Sequence, residues 1–105
     1  MNNPDPSTRH FSKMADILTL IKNETRMDTN VIWSHYDTPQ DLIDELGAKI
    51  LRVRANDYSV LSDLYILFLP TGSFQDISIS NGWVHEFLGL AEKFNNLYVK
   101  LSPEK

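Results

Sequence analysis

The chain contains no cysteine, which excludes disulfides, thiolate nucleophiles and cysteine-ligated zinc or iron–sulfur sites together. Its four glycines (47, 72, 82 and 89) never fall as Gly-x-Gly, so the dinucleotide fingerprint is missing. Nor is there a phosphate loop, because Pro70-Thr71-Gly72-Ser73 lacks the second glycine and the Gly-Lys-Ser/Thr ending. No apolar run approaches the roughly 18–20 residues of a membrane span. Positive charge is scarce: 10 Lys and Arg stand against 14 Asp and Glu, for a net charge of −4. An acidic chain without a basic run lacks the phosphate neutralisation that supplies most nucleic-acid affinity. The opening MNNPDPSTRH has neither the basic start nor the apolar core of a signal peptide. Asn23-Glu24-Thr25 matches the glycosylation pattern, but without an export signal it reads as chance. These absences predict a soluble, cytoplasmic protein with no membrane or nucleic-acid partner.

What is present is ordinary globular material. The hydrophobic and charged fractions, 42% and 23%, lie near usual values, so global disorder is not expected. With 105 residues, one domain is expected, able to bury roughly two-thirds of its unfolded surface. Residues 1–7 carry two prolines and no apolar residue after Met1, which predicts a flexible N-terminal tail ahead of a globular unit at 8–105.

Three helices are predicted by periodicity. From Ser7 or Thr8, the residues Phe11, Met14, Leu18 and Ile21 recur at three- and four-residue steps. The second helix has the clearest start: Thr38 as N-cap, Pro39 at the first helical position and Asp41 as acidic capping-box partner. Its inward stripe is Leu42, Ile43, Leu46, Ile50 and Val53, with acids at the start and Lys49, Arg52 and Arg54 at the end, matching the helix dipole. Gly47 interrupts it, which close approach of a neighbouring helix would explain. In the third, WVHEFLGLAEKFNNLYVKL, the stripe is Val84, Phe87, Ala91, Phe94, Tyr98 and Leu101, widened by Leu88 and Leu97. VIWSHY (31–36) reads as a strand or an extended lead-in.

Residues 64–80 admit two readings. A β-hairpin would pair Tyr65–Leu69 with Ile77–Ser80 across Pro-Thr-Gly-Ser, making an α+β fold. Alternatively Asp57 caps a helix ended by Pro70, and Thr71 or Ser73 caps a short second helix, with Asp76 as the box partner of Ser73, closed by Asn81-Gly82. A lone hairpin is marginal in water, which favours the second reading: a mainly α, compact multi-helix domain.

Leu64-Tyr65 with Phe68-x-Pro70-Thr71-Gly72 resembles a helix-end segment of small, mostly helical bacterial immunity proteins, which neutralise a partner toxin. The likeness covers about nine residues. It implies a helical fold and a protein partner, and it carries over no binding residue, since nothing in the first two helices matches.

The residues that could carry chemistry form no catalytic pattern. His10, His35 and His85 are far apart, and His85-Glu86 has Gly89 where a zinc-protease motif needs its second histidine. No serine sits in Gly-x-Ser-x-Gly or Ser-x-x-Lys. Asp41, Asp44 and Glu45 share one helix turn beside the positive dipole end, where they stay ionised rather than divided into acid and base. No metal, cofactor or catalytic residue is therefore expected. Trp33, His35 and Tyr36, and Trp83 and His85, are aromatic and imidazole groups placed either for the core or for an interface. The expectation is a non-catalytic protein-binding module, an inhibitor- or immunity-type partner of a basic protein. Its face would combine Asp41, Asp44 and Glu45 with Trp33, His35, Tyr36, Trp83 or His85. Two alternatives stay open: a small enzyme or ligand-binding domain, and a homodimeric structural module sealed by the last helix. The chain would accordingly be a monomer or a homodimer.

Overall fold

The structure, a computed structural model, describes residues 6–32, 34 and 36–101. They form five α-helices and no strand, so the hairpin reading of 64–80 is not realised. The helices are α1 (Pro6–Glu24), α2 (Pro39–Arg54), α3 (Leu61–Phe68), α4 (Ser73–Ser80) and α5 (Val84–Leu101), with a 3-10 turn at Tyr58–Val60 leading into α3. None is long and apolar enough to cross a membrane.

Helix α1 is the hub. It buries Phe11, Met14, Leu18 and Ile21 as the spacing predicts, and also Ala15 and Ile17. The stripe is wider than one partner needs because α1 packs against both α2 and α5. Its first turn includes Pro6 and Ser7, two positions expected in the tail. Proline suits the start of a helix, where its missing N–H would find no intrahelical acceptor. The rest of the predicted tail lies outside the described residues.

The described residues of the link into α2 form no strand. Ser34 turns back on Val31, donating both its N–H (3.0 Å) and its hydroxyl (2.7 Å) to the Val31 carbonyl. Val31 and Tyr36 are buried while Ile32 is exposed, a pattern with no period of two. At the start of α2, Thr38 accepts from the Asp41 N–H at 3.1 Å as its capping role requires. The far end closes with Asn56 in the left-handed region at φ 58°. There the Asn56 N–H reaches Val53 (2.9 Å) and the Asp57 N–H reaches Arg52 (3.1 Å), the paired bonds of a Schellman ending. Asp57 then caps the 3-10 turn, accepting from the Ser59 N–H. Its carboxyl is held below the ordinary value by the Ser59 hydroxyl first and the Arg52 guanidinium second.

Leu69-Pro70-Thr71-Gly72 is a tight turn, closed by the Gly72 N–H on the Leu69 carbonyl at 2.8 Å. Pro70 occupies the second position, where its fixed φ is preset for a turn. Gly72, not Thr71 or Ser73, takes the cap position of α4, and Ser73 is the first helical residue. The end of α4 follows expectation: Gly82 adopts φ 83°, the Trp83 N–H reaches Ser78 (2.9 Å) and the Gly82 N–H reaches Ile79 (3.4 Å), a second Schellman ending. The Asn81 side chain adds a clamp. Its oxygen accepts from the Asn30 N–H at 2.8 Å, and its amide donates to the carbonyls of Asn30 (2.9 Å) and Ile77 (2.8 Å). The α1–α2 link is thereby tied to α4.

Helix α5 packs against α1, α3 and α4. Phe87, Phe94, Leu97 and Leu101 are buried, and Ala91 and Tyr98 are partly so. Leu88, expected to widen the stripe, is instead 49% exposed. Gly47 contradicts expectation too: a Cβ built there meets nothing within 4 Å. No helix presses on it, so the glycine costs helix propensity without steric need. Gly47→Ala is expected to raise stability by about 1 kcal/mol, read as a higher urea midpoint; an unchanged midpoint would refute this.

Candidate functional site

The exposed groups of the first turn of α2 are set by its cap. With Thr38 fixing the entry and Leu42 and Leu46 turned inward, Asp41 and Asp44 fall on the solvent side. Asp44 accepts a hydrogen bond from Gln40 Nε2 at 2.8 Å. The Asp41 carboxylate enters no ion pair or hydrogen bond among the described residues. Glu45 is different: it is half-buried and lies 3.7 Å from Lys49 Nζ, which is also 3.7 Å from Asp63. The predicted acidic trio therefore divides into two outward carboxylates and one committed to internal contacts.

Tyr36 belongs with Glu45. It is 7% exposed, a member of the core, and burial first, then the neighbouring Glu45 carboxylate, push its phenol well above the ordinary value. A proton that the folded state holds more tightly than the unfolded chain stabilises folding below the unfolded pKa, near 10. That stability is lost as pH rises beyond it. Above pH 10 the protein is expected to lose stability by about 1.4 kcal/mol per pH unit on this residue's account. The Tyr36→Phe variant should show a flatter decline between pH 10 and 12 in chemical denaturation; parallel curves for the two proteins would refute the coupling.

Trp83 is likewise in the core, 6% exposed, and its indole N–H is buried with no acceptor among the described residues. Trp33 and His35 lie outside the described residues. His85 is exposed at the start of α5, where with Glu24 it lines a groove between α1 and α5. The structure thus gathers Tyr36, Asp41, Asp44 and Glu45 around the start of α2, while Trp83 and His85 belong to the start of α5.

Among the described residues no three His, Asp or Glu side chains approach closely enough to hold a metal. The chain matches no protein-family model, no curated protein and no solved structure. Two surface features were not foreseen from sequence. One is the α1–α5 groove, about 360 Å³ over its Lys13–Leu97 part, into which Leu20 projects 51% exposed; its sequence signal is an apolar residue outside the Phe11 stripe. The other is an uncharged groove of about 400 Å³ beside Pro70, where Tyr65 stacks on Tyr98 at 4.8 Å.

Proposed function

We propose that this protein is a non-catalytic binding module that docks on a basic protein surface through the first turn of α2, in the manner of an inhibitor- or immunity-type partner. The observation that carries the reading is the outward placement of Asp41 and Asp44 on one turn, with the Asp41 carboxylate uncommitted among the described residues. The net charge of −4 adds a field that attracts a cationic surface. The likeness of Leu64-Tyr65 and Phe68-x-Pro70-Thr71-Gly72 to immunity proteins implies a protein partner, without assigning its charge or its docking residues.

Capture from the source cell with the unaltered protein and with Asp41→Asn/Asp44→Asn tests this. Glu45 is left in place because Tyr36 and Lys49 depend on it. A basic protein retained by the first and lost by the second is then purified, and its association rate is measured against salt. The double variant should bind about tenfold more slowly at low salt, and the difference should shrink as salt rises. An association rate indifferent to both the substitutions and salt would remove α2 as the docking face.

A further inference from the structure

The groove between α1 and α5 carries a charge arrangement independent of the α2 face. The two helices run antiparallel, since Lys13 and Ile17 line it together with Lys93 and Leu97, and Leu20 and Glu24 together with Glu86 and Leu90. Along α5 the groove face presents Glu86, then Gly89 and Leu90, then Lys93. Glu86 and Lys93 enter no ion pair among the described residues. They stand seven positions apart, two helical turns, so a rotation about the point midway between them exchanges an acid for a base. That midpoint falls at Gly89 and Leu90. A Cβ at Gly89 would meet nothing within 4 Å, so the helix backbone is open to close approach there, and Leu20 stands out beside it.

We propose that a second copy of this chain docks on this face, with α5 crossing its counterpart antiparallel at Gly89 and Leu90. Each Glu86 then meets the partner copy's Lys93, giving two identical ion pairs related by a two-fold axis, as an isologous interface requires. Leu20 adds apolar surface near the centre. On α1 the same axis sets Asp16 toward the second copy's Glu24, so the contact centres on α5, with α1 contributing little beyond Leu20. The like net charges of two copies oppose association at long range but are screened beyond about 8 Å at physiological salt, whereas the paired charges act at contact.

Sedimentation equilibrium over a wide concentration range tests this, using four samples of the full chain: unaltered, Glu86→Lys, Lys93→Glu, and both changes together. Both altered positions are at the surface, and matching thermal melts verify folding. The unaltered chain is expected to dimerise. Each single reversal turns both pairs repulsive and should raise Kd at least tenfold. The double variant should regain dimerisation, and so should an equimolar mixture of the two singles, in which every cross-pair is again acid with base. A strict monomer in the unaltered chain would overturn the proposal and leave the face to a different protein. Dimers indifferent to the single reversals, or not restored in the double variant, would overturn it as well.

Discussion

Replacing Phe68 with alanine should destabilise the protein by about 3–5 kcal/mol, the range for removing a buried aromatic ring. The size of the effect comes from where the ring sits. It is 4% exposed, stacks on Phe94 with centroids 4.1 Å apart and planes within 6°, and meets Phe74 edge-on at 5.1 Å. Phe87 lies parallel at 5.8 Å. One side chain at the end of α3 thus joins α4 and both turns of α5 that face it. Small domains have only about 5–15 kcal/mol of net stability, so the variant should be largely unfolded at temperatures where the parent is intact. Urea denaturation followed by circular dichroism reads the loss. Phe68→Leu, which keeps most of the volume, should cost markedly less. A Phe68→Ala loss below 1 kcal/mol would mean that the short helices collapse into the space, and that the aromatic cluster does not hold α3 and α4 on α5.

Gly72→Ala should destabilise as well, by about 1–3 kcal/mol, for a reason unlike the usual one for glycine. Its φ of −87° is open to any residue, so no torsional strain is involved. The obstacle is space: a Cβ would stand 2.6 Å from the Ile66 carbonyl oxygen and 2.7 Å from that of Leu67. Both are backbone atoms at the end of α3, so no rotamer change relieves the overlap, and the Pro70 turn must open. The contrast with Gly47→Ala is the informative measurement. The same added methyl group should lower the melting temperature at 72 and raise it at 47. Equal and small effects at both positions would show that α4 can slide away from α3 without cost.

How much of this was written in the order of residues varies along the chain. The capping of α2 was legible because Thr38 and Pro39 act through their own backbone neighbours, and so was the ending at Asn81-Gly82. The stripe of α1 was legible only in part: Ala15 and Ile17 are buried because α1 touches two helices, and a periodicity shows that a face is apolar without showing how many partners share it. Residues 64–80 were ambiguous because apolar runs of five suit a strand and a short helix alike. The decision lies in the Pro70 turn and in the aromatic contacts with α5, which are tertiary. The candidate surface divides in the same way. Asp41 and Asp44 face out as the helix period requires, and Glu45 meets Lys49 through the same period as an i,i+4 pair, whereas the approach of Tyr36 to Glu45 depends on the course of the link before α2, which no local pattern sets. Tyr36 and Trp83 show the limit most clearly, since an aromatic side chain beside a helix start is equally suited to anchor a partner or to close a core.

The antiparallel seating of α5 against α1 has a consequence for the order in which the molecule can assemble. Lys13 and Leu97 line one groove, though more than eighty positions separate them along the chain. The entropy lost in closing so long a loop grows only as the logarithm of its length, so the final stability is little affected, but the contact must wait. On the ribosome, α1 and α2 can pair early, yet Ile17 and the flank of α1 it belongs to have no cover until the last helix has emerged. A nascent chain halted before residue 84 would therefore display an apolar helix face with its natural partner still unmade. Such a face invites chaperones, and for as long as it stays open the youngest helix is the one on which the oldest depends.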